Sequence, residues 1–446
     1  YNVGIGDFAL YNNTTASNNT AVGKDALLSN TTGTSNVAVG QGALDANTTA
    51  NSNVAVGVAA LGANTTGANN TAVGDNSLLL NTTAGHNTAV GATSLDANTT
   101  GQFNTGIGSA ALTANTTASS NTAVGFASLG TVTTGASNTA VGSNSLNVNT
   151  ASNNTAVGAG ALEDNTTGAT NVAVGQNALK DNTTADYNIA VGASALASNS
   201  TGTGNVAMGH SALFANTTAN YNTGIGFNSL ATTTTGAFNT GIGFESGKAI
   251  TTGGANTFLG YQAGVVTTTG GSNTGVRIFA LTSNTTGTHS TALGRTALNA
   301  NTTASGNVAV GYNAMAANTT GEANTAVGYA ALDAATTVSF NTAVGYTALG
   351  AVTAAHNTAM GHAAGSSTST GENNVLMGGS CASNLTTGSN NVCIGSSAAN
   401  STVLLTTGVQ NTVIGSNART SLNNAEAQIV IGFNYTGNGD NKVNFG

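Results

Sequence analysis

The segment Asn19–Gly23 reads NTAVG, and the same pattern returns as NVAVG at Asn36–Gly40 and at Asn53–Gly57. The spacing is 17 residues, and it continues along the chain with units one residue short before Asn154 and before Asn357. A fixed period of this kind indicates structural repeats that stack on their neighbours.

Each unit follows the consensus N-x-A-V-G-x-x-A-L-x-x-N-T-T-G/A-x-x. Its first five residues alternate like a short strand, and the glycine and the N-T-T-G segment predict two turns. Two extended pieces and two turns in so short a unit are typical of one coil of a parallel β-solenoid. The sequence therefore predicts an all-β, single-domain parallel β-solenoid (β-roll) over residues 1–446, with irregular closing coils over residues 411–446.

The predicted solenoid has about 27 coils, which at an inter-strand spacing of about 4.8 Å would make a rod of about 130 Å. Its interior is predicted to hold one Val and one Leu per coil, and Asn and Thr are predicted to form hydrogen-bonded ladders. The predicted core columns contain Val22, Leu27, Val39, Leu44, Val56, Leu61, Val73 and Leu78. Burying two aliphatic side chains contributes about 3–6 kcal/mol per coil, whereas ordering the unit costs about 25 kcal/mol. We therefore expect self-association.

Composition excludes several classes of protein. Charged residues are 5% of the chain, Pro and Trp are absent, and net charge is -8. Seven basic residues cannot form a phosphate-binding surface, and no apolar run reaches the length of a membrane helix, so we expect neither nucleic-acid binding nor membrane insertion.

No motif indicates enzymatic chemistry. The five His are scattered, so we predict no catalytic residues, no metal ligands and no cofactor. Glu163 and Asp164 align with Lys180 and Asp181 one coil later, which is read as an exposed ion-pair ladder rather than the carboxylate pair of a retaining glycosidase. The only cysteines, 381 and 393, are interpreted as buried free thiols, with a disulfide left open.

Aromatic residues gather at the position after the corner glycine. This column is polar in the early units and aromatic later, which predicts surface ladders that either pack against a neighbouring chain or bind a glycan or receptor. The column contains His210, Phe227, Phe244 and Tyr261, and then Tyr312, Tyr329, Tyr346 and His362. A shorter aromatic set precedes the anchor Asn at Tyr187, Tyr221 and Phe238.

The N-T-A-V-G units resemble the head repeats of trimeric autotransporter adhesins, which form left-handed parallel β-rolls. The longer form N-T-A-V-G-x-x-A-L-x-x-N-T-T-G is more similar to the repeat shafts of bacteriophage tail-fibre proteins, and residues 429–441 resemble the segment that closes such shafts. The resemblance covers essentially the whole chain, although the unit is longer than that of the adhesin heads. It implies a homotrimer.

We therefore expect a non-enzymatic, extracellular structural fibre, the shaft or head of an adhesive appendage on a cell surface or virion. An end-to-end filament subunit is the alternative, since neither end carries an evident polar cap. Ice binding by Thr and Asn ladders is a third reading, weakened because adjacent Thr residues of a strand point to opposite faces.

Overall fold

A computed structural model describes all residues from Tyr1 to Gly446, and every regular element in it is a three-residue β-strand. The all-β parallel solenoid predicted from the sequence is confirmed, and each of the roughly 27 predicted units supplies one of the 27 strands. No helix of the length and apolarity needed to cross a bilayer is present. The chain divides into two compact units, Tyr1–Asn222 and Thr223–Gly446.

The first unit contains thirteen strands. They are β1 Val3–Ile5, β2 Thr20–Val22, β3 Val37–Val39, β4 Val54–Val56, β5 Thr71–Val73, β6 Thr88–Val90, β7 Thr105–Ile107, β8 Thr122–Val124, β9 Thr139–Val141, β10 Thr155–Val157, β11 Val172–Val174, β12 Ile189–Val191 and β13 Val206–Met208. Consecutive strands pair in parallel and in register, so that Ala21 lies beside Ala38 and Ala38 beside Ala55.

The second unit contains fourteen strands with the same parallel pairing. They are β14 Thr223–Ile225, β15 Thr240–Ile242, β16 Thr257–Leu259, β17 Thr274–Val276, β18 Thr291–Leu293, β19 Val308–Val310, β20 Thr325–Val327, β21 Thr342–Val344, β22 Thr358–Met360, β23 Val375–Met377, β24 Val392–Ile394, β25 Thr412–Ile414, β26 Ile429–Ile431 and β27 Val443–Phe445.

The second extended piece predicted for each coil is wrong, because the rest of the coil is a chain of turns. Residues such as Asp25 and Leu27 take a left-handed backbone, with φ of 60° and 52°, and the same positions repeat this conformation in coil after coil. Their backbone groups still bond between coils, as when the Leu27 amide donates to the Ala43 carbonyl at 3.0 Å. Stacking therefore supplies the partners that a second strand would have supplied.

The interior of a coil is smaller and more polar than predicted. The leucine column is confirmed, because Leu27, Leu44, Leu61 and Leu78 are fully buried. The valine column is wrong: Val22, Val39 and Val73 are half-buried on the outer side, and Val56 is 36% exposed. Strand residues alternate between faces, and the anchor Asn and the middle Ala occupy the inner face, so Val must point outward. One coil buries Asn36, Ala38, Ala43, Leu44, Asn47 and Ala50.

Two columns of buried Asn hold successive coils together, as the predicted ladders require. In the anchor column, the Asn36 amide donates to Asn19 Oδ1 at 2.9 Å, and Asn36 Nδ2 donates to the Ala50 carbonyl at 2.8 Å. In the second column, Asn47 Nδ2 donates to Asn30 Oδ1 at 2.8 Å and also reaches the Ala50 carbonyl. These four side chains are paired, so their burial avoids the cost of an unsatisfied amide, which is about 1–3 kcal/mol. The oxygens of Asn115, Asn216 and Asn318 are buried without a partner, because the next coil has no Asn at the same position.

At one position of the repeat, Ala and Gly alternate from coil to coil in the first unit, so the exact structural period is two coils. The residue at the G/A position of the consensus is in turn Ala16, Gly33, Ala50, Gly67, Ala84, Gly101, Ala118, Gly135, Ala151, Gly168, Ala185, Gly202 and Ala219. A Cβ added to Gly33 would lie 2.3 Å from the Ala50 carbonyl oxygen, so a side chain at Gly33 would require the neighbouring coil to shift. The amide of Thr34 then donates to Asn51 Oδ1 at 2.7 Å, and the first unit therefore repeats structurally in pairs of coils.

The interior of the second unit is rebuilt around Phe258, the largest fully buried side chain. Phe258 stands where other strands place Ala, while Gly247 and Gly264 stand where other coils place Leu. A Cβ on Gly264 would lie 2.5 Å from Phe258 Cζ, so the ring fills the space that a leucine would occupy. The same exchange occurs at Leu376, which lies 2.5 Å from a Cβ built on Gly365. Core volume is thus conserved across neighbouring coils.

Arg277 occupies a corner where the other coils have glycine. Its φ of 96° stays in the left-handed region but departs from the values of 128° to 158° at the corner glycines. The next corner bond is longer than usual, since the Gly294 amide donates to the Val276 carbonyl at 3.1 Å, whereas the Arg277 amide donates to Leu259 at 2.7 Å. The distortion is therefore local.

The last coils are irregular in length. The β24 to β25 connection contains an insertion at which Asn400 bridges Leu404, and β26 pairs with β27 only 14 residues later, with Ile429 beside Val443. The final unit thus begins at Lys442, the residue before β27, and not at Asn441 as its Asn suggests.

Candidate functional site: outer columns and aromatic ladders

The corner glycine places the residue that follows it on the outside of the coil. At Gly23, φ is 134°, and an added Cβ would lie 2.5 Å from the Gly40 carbonyl oxygen of the next coil. The tight corner turns the chain outward, and the next residue, Lys24, is exposed. We call this position the corner column. Because it is outside every coil, its residues can vary without disturbing the interior.

The first aromatic ladder consists of Phe227, Phe244 and Tyr261. The ring centroids of Phe227 and Phe244 are 5.5 Å apart with planes 8° from parallel, and those of Phe244 and Tyr261 are 5.1 Å apart with planes 9° from parallel. Phe279 closes one end of the ladder edge-on, 5.6 Å from Tyr261. The predicted stacking is present, and the three rings are between 39% and 45% exposed.

The second aromatic ladder consists of Tyr312, Tyr329, Tyr346 and His362. Its centroid separations are 5.2, 5.0 and 5.4 Å, with planes within 20° of parallel. The Arg295 guanidinium lies over the free face of Tyr312 at 5.8 Å, which is a cation–π contact. Arginine thus covers one end of the stack, and the imidazole of His362 covers the other.

The ladders expose ring edges rather than ring faces. Each inner ring lies about 5 Å from parallel neighbours in the preceding and following coils, so both of its faces are occupied. A ligand that stacks on aromatic rings needs an open face, whereas a side chain from a neighbouring surface can pack against an edge. The ladders are therefore ridges of aromatic edges, with one tyrosine hydroxyl in the first ladder and three in the second.

The remaining predicted aromatic positions also lie on the outer surface of the coils. His210 lies in the first unit, is exposed, and its Nδ1 is 3.0 Å from Ser211 Oγ. Tyr187, Tyr221 and Phe238 are all exposed at the position before the anchor Asn.

That position before the anchor Asn also carries two stacks that the sequence analysis missed. His86 stacks on Phe103 at 5.1 Å, and Phe340 stacks on His356 at 5.2 Å. Both stacks could have been predicted, because their residues occupy the same position in consecutive units.

Beside the corner column runs an outer aliphatic column, made of the third residue of each strand. It contains the valines predicted for the core. Its most exposed members include Val56, Ile107, Val157, Val174, Met208, Leu293, Met360 and Ile394. Within each unit, apolar side chains are exposed at this same position in several coils, and grouped exposed apolar side chains mark an interaction surface more often than single ones do.

The threonine columns differ in availability. Thr31 Oγ1 donates to the Thr48 carbonyl of the next coil at 3.0 Å, and the same bond recurs from Thr48 to Thr65 at 3.2 Å. Thr32 and Thr49, the next residues, are exposed. One hydroxyl of each Thr pair is therefore committed to holding the stack.

Besides the pair of Lys24 and Asp25, at 3.9 Å, the charged groups form two small clusters. Lys180 Nζ lies 3.6 to 3.9 Å from carboxylate oxygens of Glu163, Asp164 and Asp181, and the two aspartates in particular raise the pKa of Lys180. The predicted carboxylates thus share a central lysine on the surface.

The second charged cluster lies in the second unit. Lys248 Nζ contacts Glu245 Oε1 at 2.7 Å, and Gln262 Nε2 donates to Glu245 Oε2 at 2.9 Å. These bonds lower the pKa of Glu245.

One open cavity of about 430 Å³ lies at the insertion between β24 and β25. Its wall is formed by Thr402, Val403, Leu404, Thr406, Ser421, Leu422 and Asn423. The exposed side chains of Leu404 and Leu422 make it shallow and largely apolar.

No protein-family model matches the chain, and no curated protein matches its sequence.

Proposed function

We propose that this chain is a non-enzymatic structural fibre protein, forming the shaft or head of an extracellular adhesive appendage of the tail-fibre or trimeric-adhesin kind. The observation that carries the proposal is the contrast between inside and outside. The buried Asn columns, middle Ala and Leu recur in most coils, whereas side-chain identity varies freely at the corner column. A protein whose work is to extend and present a surface needs a repeated interior and a free exterior.

The partner in this proposal is the chain itself, as a homotrimer. The outer aliphatic column gives each copy a strip of apolar surface that water would otherwise cover. The aromatic ladders add ridges whose edges suit packing against another copy, because their ring faces are already covered. Self-association would bury both features without any change in the coils.

Presentation of a surface to a cell-surface glycan or receptor is the second role of the same exterior. The second ladder sets three tyrosines in consecutive coils, at centroid separations of 5.2 and 5.0 Å. Such a row of hydroxyls can donate to and accept from a long polar ligand. Lateral packing and ligand contact compete for these residues, so the oligomer decides which tyrosines are free.

Sedimentation equilibrium and electron microscopy of the full chain test the proposal together. We expect a mass of three chains and particles whose length depends on coil number. Deleting residues 36–137 removes six whole coils and keeps the Ala–Gly alternation, so particles should shorten by about 29 Å at the inter-strand spacing. A monomer, or particles of unchanged length, would contradict the fibre proposal.

Two alternatives give different results in the same preparations. End-to-end filament assembly produces particles of indefinite length that the six-coil deletion does not shorten. Ice binding produces thermal hysteresis, which the exposed Thr32 column would have to support without the Thr31 hydroxyls. Three-chain particles of fixed length without thermal hysteresis support the fibre reading over both.

A further inference from the structure

The two cysteines lie in consecutive coils and touch inside the core. Cys381 follows β23 in the turn, and Cys393 is the middle residue of β24. Both side chains are fully buried, and the Cys381 thiol donates to the Cys393 carbonyl at 3.1 Å. Although they occupy different positions of the repeat, the coil brings them together across the interior.

Other coils show how closely these two positions approach each other. Ser94 occupies the position of Cys381, and its hydroxyl donates to the carbonyl of Gly106, which occupies the position of Cys393. A Cβ built on Gly106 lies 2.6 Å from Ser94 Oγ, and the equivalent distance between Gly241 and Ser229 is 2.7 Å. In these two coils, whose second position is Gly, the γ atom of the first position points at the place of a β carbon at the second, whereas Ser77, opposite Ala89, donates to the Gly74 carbonyl instead. The Cys381 sulfur takes the inward direction, because it donates to the Cys393 carbonyl.

This approach matches a disulfide better than it matches two separate thiols. In a disulfide, the sulfur of one cysteine lies about 3 Å from the β carbon of the other, because an S–S bond of about 2.05 Å joins them. Two unbonded thiols prefer a wider separation, as sulfur is larger than the serine oxygen that fits there. The positions are thus preset at a distance that a covalent bond satisfies.

We propose that Cys381 and Cys393 form an intrachain disulfide when the protein folds in the presence of a small-molecule disulfide oxidant, such as oxidised glutathione. The two thiols lose two protons and two electrons as the S–S bond forms. The oxidant's own disulfide breaks, accepts those electrons and protons, and leaves as two thiols. This inference does not depend on the fibre function.

The bond forms during folding rather than afterwards. Hydrogen bonding with Cys381 and complete burial raise the pKa of Cys393 well above its usual range, and exchange requires a thiolate. Once the coils have stacked, both sulfurs are also out of reach of solvent. Closure before the last coils dock would fasten β23 to β24, next to the insertion where the regular stack is interrupted.

The test is to refold the full chain in glutathione buffers of fixed ratio and to label remaining thiols with an alkylating reagent for intact-mass measurement. We expect the refolded protein to carry no label, to carry two labels after reduction, and to melt several degrees higher when oxidised. The same buffers with denaturant present should give a smaller oxidised fraction of the protein. If the disulfide stabilises the folded state, then by linkage the folded state also favours the disulfide.

The matched controls are Cys381→Ser and Cys393→Ala, which restore residues that other coils carry at these positions, as at Ser94 and Ala38. Each variant should fold, keep one labelled thiol and show no difference in melting between oxidising and reducing buffers. Two labels on the refolded oxidised protein would overturn the proposal. So would glutathione adducts, a dimer linked between chains, or an oxidised fraction no larger in the native state than in denaturant.

Discussion

The coils around Leu44 and Leu61 in the first unit and the coils around Phe258 in the second solve the same packing problem with different side chains. In the first unit the coils supply a Leu and, except at Gly4 and Gly106, a middle Ala. In the second, Phe258 replaces Ala, and Gly247 and Gly264 replace Leu. The comparison teaches that the solenoid conserves the volume shared by neighbouring coils, while the identity at any one position can change.

The largest effect is expected when only one of the two exchanged residues, Phe258 or Gly264, is changed back to the residue that other coils carry. Gly264→Leu should severely destabilise the second unit, because its Cβ alone would lie 2.5 Å from Phe258 Cζ. Phe258→Ala should cost about 3–5 kcal/mol by leaving a cavity. The double variant recreates the Ala–Leu pattern of the first unit and should be more stable than the sum of the single changes predicts, by about 1–3 kcal/mol.

Local opening free energies from hydrogen exchange suit this measurement, since a long repeat array need not unfold in one step. Leu44→Met, a volume-conserving change in the first unit, is the control and should cost under about 1.5 kcal/mol. Strict additivity of the Phe258 and Gly264 substitutions would show that the exchange is not a packing compensation.

The anchor columns of the two units can be compared through one natural interruption. In the first unit Asn53 Oδ1 accepts the Asn70 amide at 2.9 Å, whereas in the second unit Ser290 Oγ accepts the Asn307 amide at only 3.4 Å. Asn53→Ser should destabilise its coils by about 1–3 kcal/mol, and Ser290→Asn should stabilise its coils by a smaller amount.

Exchange rates of the amides of Asn70 and Asn307 report the two anchor-column changes directly. The Asn70 amide should exchange faster in Asn53→Ser, and the Asn307 amide slower in Ser290→Asn. A stabilised Asn53→Ser variant would show that the amide ladder is not what couples successive coils.

The corner residue gives a smaller contrast. Gly23 in the first unit meets the left-handed corner without strain, while Arg277 holds a φ of 96° in the second. Arg277→Gly should stabilise the surrounding coils by about 1 kcal/mol and restore a shorter bond between the Gly294 amide and Val276. Gly23→Ala is the reverse test and should be costly, because its Cβ would lie 2.5 Å from the Gly40 carbonyl oxygen. An unchanged or lower melting temperature for Arg277→Gly would contradict the strain argument.

The smallest effects are expected at the charged clusters, which respond to opposite ends of the pH scale. The raised pKa of Lys180 means that its contribution is present below the ordinary lysine value of 10.5 and is lost as pH rises through the raised value. The lowered pKa of Glu245 means that its contribution is present above the ordinary value of 4.5 and is lost as pH falls through the lowered value.

Thermal melting against pH separates the two charged clusters. Lys180→Gln should remove part of the dependence of the melting temperature on alkaline pH, and Glu245→Gln part of its dependence on acid pH. Each effect should be worth less than about 1 kcal/mol at these partly exposed positions, and less in high salt. If Lys180→Gln instead removed the dependence of the melting temperature on acid pH, the directions assigned to the pKa shifts of the two clusters would be wrong.

The stacked rings show how far a repeat can be read without coordinates. Equal position in consecutive units is enough to predict that Tyr312, Tyr329 and Tyr346 lie above one another, and they do. The covering of their faces could not be predicted, because it depends on side-chain rotation and on Arg295. The pairing of coils through Gly33 and Ala50 was legible in the sequence as an alternation, but its reason, a carbonyl oxygen 2.3 Å from an added Cβ, required the backbone.

The amino-acid sequence by itself determined the period, the number of coils, the parallel register and the residues that share a column. Only the tertiary structure decided which face of each strand is the inside. The alternation of strand residues places Asn36 and Ala38 on one face and Val37 and Val39 on the other. It does not say which of the two faces is buried. The closed coil decides it, because closure brings the Ala50 carbonyl within hydrogen-bond distance of Asn36 Nδ2. An Asn side chain that is paired in this way can be buried, and the valines then lie on the outer face.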